Sequence, residues 1–157
     1  PVPMIIVQEK LMTDTGYNHV VVPLDLNIET KQKIELVAKI AQYFDSQVHI
    51  VTLDGNDDFA KNKLKANQIW ASNYLEEKNV KHSSHLVDKG HSLSEGIFKI
   101  SVKVNADLIA IMNLQDDSIL GILENSFQED IVANKLMVPV LCVNPNSVTK
   151  SSFTFFN

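Results

Sequence analysis

The chain has 157 residues, of which 45% are hydrophobic and 21% are charged, values that suit one globular domain with a buried core. The net charge of −5 argues against nonspecific binding of nucleic acid, which requires clustered Lys and Arg. The single cysteine, Cys142, excludes an internal disulfide framework and a cysteine-based zinc cluster. Because no apolar run reaches the ~18 residues of a membrane span and no signal peptide is visible, we expect a cytoplasmic protein without a membrane partner.

Short apolar runs and amphipathic patterns alternate along the first half of the chain. The first predicted strand covers 19–24 and is rich in β-branched residues, as expected for a strand buried on both faces. A helix after Thr30 carries its apolar face at Ile34, Val37, Ala38, Ala41 and Phe44. A second strand covers 47–53. For the long helix after it we expect one side to be lined by Phe59, Ala66, Ile69, Trp70, Asn73 and Tyr74.

The second half continues the alternation. A more polar strand is predicted at 80–87, and the next helix begins with a capping box formed by Ser92 and Glu95. A fourth strand follows at 108–112, then a helix from 126 to about 135, and a fifth strand at 138–143. The last strand contains Cys142, which predicts a buried thiol.

This order of elements predicts an α/β domain. Strands that alternate with helices of this length form βαβ units and a mostly parallel sheet with right-handed crossovers. In such sheets, ligands bind beyond the carboxyl ends of the strands where the strand order reverses. We therefore expect any ligand site in the loops at 25–27 and 113–125.

The amino-terminal segment repeats the pattern of the last strand. Residues 1–8 (PVPMIIVQ) echo residues 138–143 (VPVLCV), since in both a Val-Pro pair leads into a short apolar run. We interpret 1–17 as the tail strand of a preceding, similar domain plus a linker, 18–146 as the domain itself and 147–157 as a tail. The alternative is an incidental amino-terminal strand. Three aromatic residues of the tail favour contact with a neighbouring domain: Phe153, Phe155 and Phe156.

Several segments, each generic alone, match a known family in unbroken order. They are 21–25 (VVPLD), 48–53 (VHIVTL), Gly90, 106–112 (ADLIAIM) and 138–143 (VPVLCV). Over roughly residues 18–144 the chain resembles the universal stress protein family. The resemblance implies a five-stranded parallel sheet sandwiched by helices, of the Rossmann-like, adenine-nucleotide-binding type. It also implies a homodimer or a paired tandem domain formed through the last strand, here Val138, Val140, Leu141, Cys142 and Val143. The strand at 4–8 would then stand in for the partner domain and pair with 138–143 as an extra edge strand of the sheet.

The phosphate loop departs from the family pattern. ATP-binding members carry Gly, two residues, a second Gly, nine residues and then Gly-Ser or Gly-Thr. Here Asn113 replaces the first glycine, Gln115 or Asp116 the second and Asn125 the third, so that only Ser126 is retained. The glycines let backbone N–H groups approach phosphate oxygens. A second predicted capping box, Ser126 with Glu129, would occupy those N–H groups, so we expect no ATP cofactor.

Two further family positions are retained. Asp25 matches the aspartate near the base and ribose, and Val51 lies on the strand that borders the adenine. If a nucleotide binds, the resemblance therefore implies a site made of Asp25, Val51, Asn113, Asn125 and Ser126. Asp25 is equally well explained as a turn residue.

The sequence offers little support for other chemistry. Asp116, Asp117 and Glu124 supply oxygen ligands but lack EF-hand spacing, so we expect no metal. His82 and His85 lie three positions apart on a strand and point to opposite faces. His91, beside Gly90, either touches a ligand or is a solvated loop residue. No Ser-His-Asp order, nucleophile elbow or H-E-x-x-H pattern appears, which favours a protein that is not an enzyme.

Two functions remain open at this point. The first is a regulatory or binding domain in a stress response that lacks the glycine-rich ATP loop and acts through domain pairing or dimerisation. The second is a nucleotide-binding switch, or a weak nucleotide hydrolase, with a modified phosphate loop. The missing glycines favour the first, and Asp25 with Ser126 supports the second.

Overall fold

A six-stranded sheet forms the centre of the molecule. The structure, a computed structural model, describes residues 2–26, 30–54, 57–88, 90–113 and 125–145, with only the backbone of 125 and 126. The strands are β1 (Met4–Ile6), β2 (His19–Pro23), β3 (Gln47–Leu53), β4 (Lys81–Val87), β5 (Leu108–Met112) and β6 (Val140–Val143). Their order in the sheet is β1-β6-β5-β2-β3-β4. β1 runs antiparallel to β6 and the other neighbours are parallel, which confirms the predicted parallel sheet with an added amino-terminal edge strand.

Four helices cover the two faces of the sheet. They are α1 (Thr30–Phe44), α2 (Asp58–Glu77), α3 (Leu93–Val104) and α4 (Asn125–Val132). Alternate residues of the strands feed two apolar clusters, as the period of two in a strand requires. One cluster joins Val20, Val22 and Ile50 to α1 and α2, and the other joins Val21 and Ile109 to α3 and α4. None of the helices in the described ranges is long and apolar enough to cross a membrane.

The predicted face of α2 is wrong at four of its six positions, and only Trp70 and Tyr74 pack against the core. The buried positions are Ala60, Leu64, Ala71 and Leu75, whereas Phe59 and Ile69 are 72% and 52% exposed. Ala66 and Asn73 are also exposed, and Trp70 and Tyr74 are half-buried at the margin of the core. The Asp57 side chain accepts a hydrogen bond from the Ala60 N–H (2.7 Å) and caps the helix. Because α2 has apolar residues on more than one side, the sequence pattern alone does not tell which side faces the sheet. In the structure that side is the one with the small and leucine positions.

Helix α4 and strand β6 are each shorter than predicted, for one reason. The Asn134 side-chain amide donates to the carbonyls of Ile131 (2.8 Å) and Val138 (3.0 Å), and its oxygen accepts from the Val138 N–H (3.0 Å). These bonds replace those that a longer helix or strand would make in its own backbone. The helix therefore ends at Val132 and the strand begins at Val140.

The strand order reverses between β2 and β5. From β2 the chain continues to β3 and β4 on one side, and from β5 it continues to β6 on the other. β2 and β5 are thus neighbours whose next strands lie on opposite sides, and such a point is where parallel α/β sheets bind ligands. Of the predicted site residues, Asp25 and Asn113 follow the two strands that meet at this point.

Candidate functional site at the carboxyl ends of the central strands

Asp25 follows β2 at the switch point and is nearly buried. Its exposed fraction is 9%, and its backbone carbonyl accepts a hydrogen bond from the Asn67 side chain of α2 (2.9 Å). The preceding residue is also fixed, because the Leu24 N–H donates to the Val51 carbonyl (2.8 Å). The loop after β2 is therefore tied to both β3 and α2.

Lys33 places a buried amine beside Asp25. The side chain comes from the inner face of α1 and is 1% exposed, and its Nζ lies 3.9 Å from Asp25 Oδ2. The same Nζ donates to the Pro23 carbonyl at 2.5 Å. Burial lowers the pKa of the Lys33 amine from its usual value of 10.5, and the carboxylate of Asp25 opposes part of that shift. The pair is a feature that the sequence analysis missed.

A second polar group lies on the same face of α1. Thr30, at the first position of the helix, is buried, and its hydroxyl has no hydrogen-bond partner within the described ranges. A buried hydroxyl without a partner is unfavourable. Thr30 and Lys33 are thus two buried polar groups at the amino-terminal end of α1, and Lys33 contacts the chain that leaves β2.

Val51 lies in the apolar cluster under α3. Its side chain is 0% exposed, and its carbonyl holds Leu24 as described above. Pro23 of β2 lies directly opposite Val51 in the parallel register. Val51 and Asp25 therefore lie in neighbouring elements at the same end of the sheet. The predicted contact of Val51 with adenine stays a prediction.

Asn113 ends β5 and joins the sheet to β6. Its N–H donates to the Val143 carbonyl, and its side-chain amide donates to the Asn144 side chain, both at 2.8 Å. The Asn144 amide donates in turn to the carbonyl of Val2 (2.8 Å). At the position where the family pattern has its first glycine, this chain therefore has an amide that is hydrogen-bonded towards β6 and the amino-terminal segment.

The remaining predicted loop positions lie outside the described residues. Gln115, Asp116, Asp117 and Glu124 lie outside the described residues, and so do the side chains of Asn125 and Ser126, whose backbone begins α4. The predicted capping box of Ser126 with Glu129 falls outside the described residues for the same reason, as does the phenylalanine-rich tail. These predictions stay predictions.

The predicted pairing strand is buried, and its outer edge is occupied. Val138, Val140, Leu141, Cys142 and Val143 are all buried. β1 pairs with β6 in antiparallel register, with Met4 opposite Cys142, Ile5 opposite Leu141 and Ile6 opposite Val140. Burial raises the pKa of the Cys142 thiol above its usual value, which agrees with the predicted buried cysteine. The amino-terminal segment therefore closes this edge of the sheet.

Side chains beyond β1 also fasten the amino-terminal segment. The Gln8 amide donates to the Val132 carbonyl (2.6 Å). The Lys10 N–H donates to the Met137 carbonyl (3.1 Å), and its Nζ donates to the Ala106 carbonyl (2.6 Å). These contacts run along the end of α4 and the start of β5. Residues 4–10 thus follow the body of the domain closely.

His82 and His85 were predicted to point to opposite faces of their strand, and in the structure they contact different groups. His82 Nδ1 lies 3.1 Å from the Val80 carbonyl, whereas His85 Nε2 lies 3.2 Å from His49 Nδ1. His91 is exposed and lies 3.4 Å from Glu95, in a cavity of about 290 Å³ between β4 and α3. Within the described ranges no three His, Cys, Asp or Glu side chains converge in a way that could hold a metal ion.

Lys33 could have been found from the sequence. It lies between Thr30 and Val37 at the spacing of one helix face. The apolar pattern that identified α1 therefore also predicts that this lysine faces the core. A lysine on a buried face is rare enough to mark a site for attention. The contact between His49 and His85 had no such signal, because it depends on how the strands are offset in the sheet.

Comparisons with known proteins reveal the fold. No protein-family model matches the chain, and no curated protein does. Several solved structures, however, match the chain. A member of the universal stress protein family from Burkholderia pseudomallei aligns with a TM-score of 0.63 and 16% identity, over 85% of this chain and 99% of that chain. A universal stress protein from Archaeoglobus fulgidus in complex with dAMP aligns with a TM-score of 0.63 and 20% identity, over 81% and 98%.

A third structure is longer. A universal stress protein from Archaeoglobus fulgidus DSM 4304 aligns with a TM-score of 0.70 and 16% identity, over 94% of this chain but 51% of that chain. The described sheet and its helices thus correspond to about half of that protein. Together with the strand order and the two helix layers, these alignments settle the architecture: the chain has the fold of the universal stress proteins.

Proposed function

We propose that the chain is a regulatory or binding domain that acts in a stress response by pairing with a second domain of the same fold along the β1–β6 edge. The observation that carries this proposal is the antiparallel pairing of β1 with the last strand. An antiparallel strand on that edge is what a second, similar domain would supply through its own last strand. The echo between 1–8 and 138–143 in the sequence supports the same idea.

The amino-terminal segment carries an apolar surface that suits such a partner. Its outward side chains are exposed although they are large and hydrophobic: Val2, Met4, Ile5, Val7, Leu11 and Met12. These six residues lie within eleven positions of the amino-terminal segment, and exposed apolar residues at this density favour a contact surface. The universal stress protein that this chain covers over only 51% of its length has room for a second unit of similar size, which supports a partner domain.

Sedimentation velocity of the 157-residue chain tests the proposal, over protein concentrations of about 10 to 300 µM. We expect concentration-dependent self-association, because a second copy offers the same outermost strand β1 and the same exposed apolar residues beside it. Met4→Lys combined with Val7→Lys adds two charges to the segment and should weaken the association at least about tenfold. A matched control, Phe59→Lys with Val102→Lys, changes two exposed hydrophobic residues elsewhere and should leave it unchanged. A monomer throughout, or equal loss in both double variants, would contradict pairing through this edge.

A second candidate is adenine nucleotide binding in a mode that does not use a glycine-rich loop. The specific observation in its favour is the buried carboxylate of Asp25 beside Lys33 at the switch point, since a fixed carboxylate can accept hydrogen bonds from ribose hydroxyls. The complex of a neighbour with dAMP supports a monophosphate as the probe. Such a domain would act as a nucleotide-dependent switch or a weak hydrolase.

Calorimetric titration separates the two candidates. Mg-ATP, AMP and adenosine are titrated into the chain, with Asp25→Asn as the variant and Asp45→Asn, an exposed aspartate at the end of α1, as the control. Saturable one-to-one heat with AMP that is lost in Asp25→Asn alone would establish the nucleotide site. Absence of heat with all three ligands would remove this candidate and leave the pairing proposal untouched.

A further inference from the structure

Three histidines on adjacent strands form a continuous row across the sheet. His19 lies on β2, His49 on β3 and His85 on β4. His19 Nδ1 lies 3.1 Å from His49 Nε2, and His49 Nδ1 lies 3.2 Å from His85 Nε2. The ring centroids are 5.3 and 5.4 Å apart. His49 uses both of its ring nitrogens, so the row is an unbroken chain of imidazole contacts.

The row is diagonal, because the histidines do not pair in register. Val21 lies opposite His49, and Val51 lies opposite His85, so each histidine is displaced by two residues from the next. All three share the face that packs on α3 and α4, since Val21, Val51 and Val87 of the same parity belong to that cluster. His49, in the middle, is 4% exposed. The outer two are half-buried.

One hydroxyl completes the row. Ser83 of β4 lies directly opposite His49, and its Oγ lies 3.0 Å from His49 Nδ1 and 3.1 Å from His85 Nε2. The imidazoles follow one another in a line instead of converging on one point, which agrees with the finding that no three ligands in the described ranges could hold a metal ion. The row is therefore an arrangement of hydrogen bonds.

The number of protons decides whether those hydrogen bonds can exist. A neutral imidazole carries one N–H and one acceptor nitrogen. With three neutral rings, each N···N contact can hold one hydrogen, and the chain of donors can point either way. One added proton on His19 or on His85 is also compatible, because every contact still has one donor and one acceptor.

A second added proton is not compatible with one donor and one acceptor at every contact of the row. If His19 and His85 are both charged, each directs an N–H at His49, which as a neutral ring has only one nitrogen free to accept. One of the two contacts then places two hydrogens face to face. If His49 is charged as well, neither outer ring can accept from it. Ser83 can accept an N–H in place of His49 only at the contact with His85 on β4, so it does not help at the contact between His19 and His49.

The charged groups around the row are either positive or already paired. Burial, and then the nearby charge of Lys103 on α3, lower the pKa of His85, so both disfavour its charged form. On β4, Lys81 lies on the same face as Ser83, and its amine is paired with the Asp45 carboxylate (2.9 Å). At the other end Asp107 accepts the backbone N–H of His19 (3.0 Å) and lies 3.8 Å from Lys10. Asp107 is thus already engaged with the backbone and with a lysine.

We propose that the row His19–His49–His85 is an acid-sensitive device that holds β4 against the sheet until it takes up a second proton. β4 is the outermost strand on its side, so it is the element free to yield when a contact in the row is lost. α3 packs directly on β4, because Gly96 lies against Val87. Loosening of β4 therefore reaches α3 and its amino-terminal end beside Gly90. This regulation is independent of the pairing and the nucleotide proposals.

Hydrogen exchange of the full chain tests the device. After correction for intrinsic rates, we expect the amides of 83–87 in β4 to exchange at least about tenfold faster at about pH 5 than at about pH 7.5, while those of 109–111 in β5 do not. His19→Gln with His85→Gln removes both outer charges and should abolish the acceleration. His82→Gln, on the opposite face of β4, should retain it. An acceleration that persists in the double variant would overturn the proposal.

A measurement on the unsubstituted chain covers the case in which the double variant does not fold. Ring ¹⁵N NMR signals are followed during an acid titration. We expect the second proton uptake in the row to coincide with shift changes in the β4 amides. Three independent titrations with no response in β4 would overturn the proposal, as would a shift of these ring signals on addition of Zn²⁺ at neutral pH, which would make the row a metal site.

Discussion

Gly96 of α3 packs so closely on Val87 of β4 that a methyl group at its Cα would lie 2.3 Å from Val87 Cγ2 and 3.1 Å from Val87 Cβ. Replacing a helical glycine by alanine normally stabilises a helix by about 1 kcal/mol. Here the overlap must move either the helix or the strand, so we expect Gly96→Ala to destabilise the protein by about 1–3 kcal/mol. Urea unfolding measures the difference. Val87→Ala should cost less stability in the Gly96→Ala background than in the original chain, and additive effects would contradict the proposed contact.

Most strands and helices of the fold could be predicted from patterns in the sequence. The runs that became β2, β3 and β5 are short, apolar and β-branched, and the capping box of Ser92 with Glu95 marked the start of α3, where the structure has both hydrogen bonds. The face of α2 was not predictable, because its apolar residues do not lie on one stripe. The early end of α4 depends on Asn134 bonding to residues on both sides of it, which no periodicity encodes.

The candidate site was only partly predictable. Asp25 and Asn113 follow from the order of strands, which places the ends of β2 and β5 together. Lys33 could have been found from helical spacing, although its contact with Asp25 required the structure. The histidine row depends on the two-residue offset between neighbouring strands, and that offset is set by the crossover helices and loops, so the residue types alone do not reveal it.

Lys33 and Asp25 should behave as a coupled pair. Lys33→Met retains most of the side-chain volume but leaves the nearly buried Asp25 carboxylate without the positive charge at 3.9 Å. We expect a loss of about 1–3 kcal/mol in the free energy of unfolding. The double variant with Asp25→Asn should recover at least half of it. The exposed pair Lys81–Asp45 provides the control, because Lys81→Met should cost less than about 1 kcal/mol. Equal costs at both lysines would argue against a coupled buried pair.

His49 should make the stability of the protein depend on pH. Burial, and then the charges of His19 and His85, lower its pKa from 6.5 to about 4. Below the unfolded pKa the unfolded chain binds a proton on this residue that the folded chain does not, so stability falls as pH decreases through this window and the loss is complete below the folded pKa. The shift sets an upper limit of about 3 kcal/mol on this loss of stability.

Urea unfolding at several pH values across that window measures the dependence. His49→Gln removes the ionisable group, so its stability should fall less steeply between about pH 6.5 and 4 than that of the original chain. His82→Gln, which leaves the row intact, should keep the original slope. If His49→Gln and the original chain lose stability in parallel, the acid sensitivity comes from other groups.

Cys142 offers a direct measure of how tightly β1 closes the edge of β6. The thiol is the single cysteine of the chain, it is buried, and its pKa is raised by that burial, so both access and ionisation slow its alkylation. We expect the native thiol to react at least about 100-fold more slowly than in urea. Met4 lies opposite Cys142 in the strand pair, so Ile5→Pro, which disrupts the centre of β1 by removing a backbone donor, should accelerate the reaction well before global unfolding. Labelling that speeds up only in step with global unfolding would show that β1 does not control access to this edge.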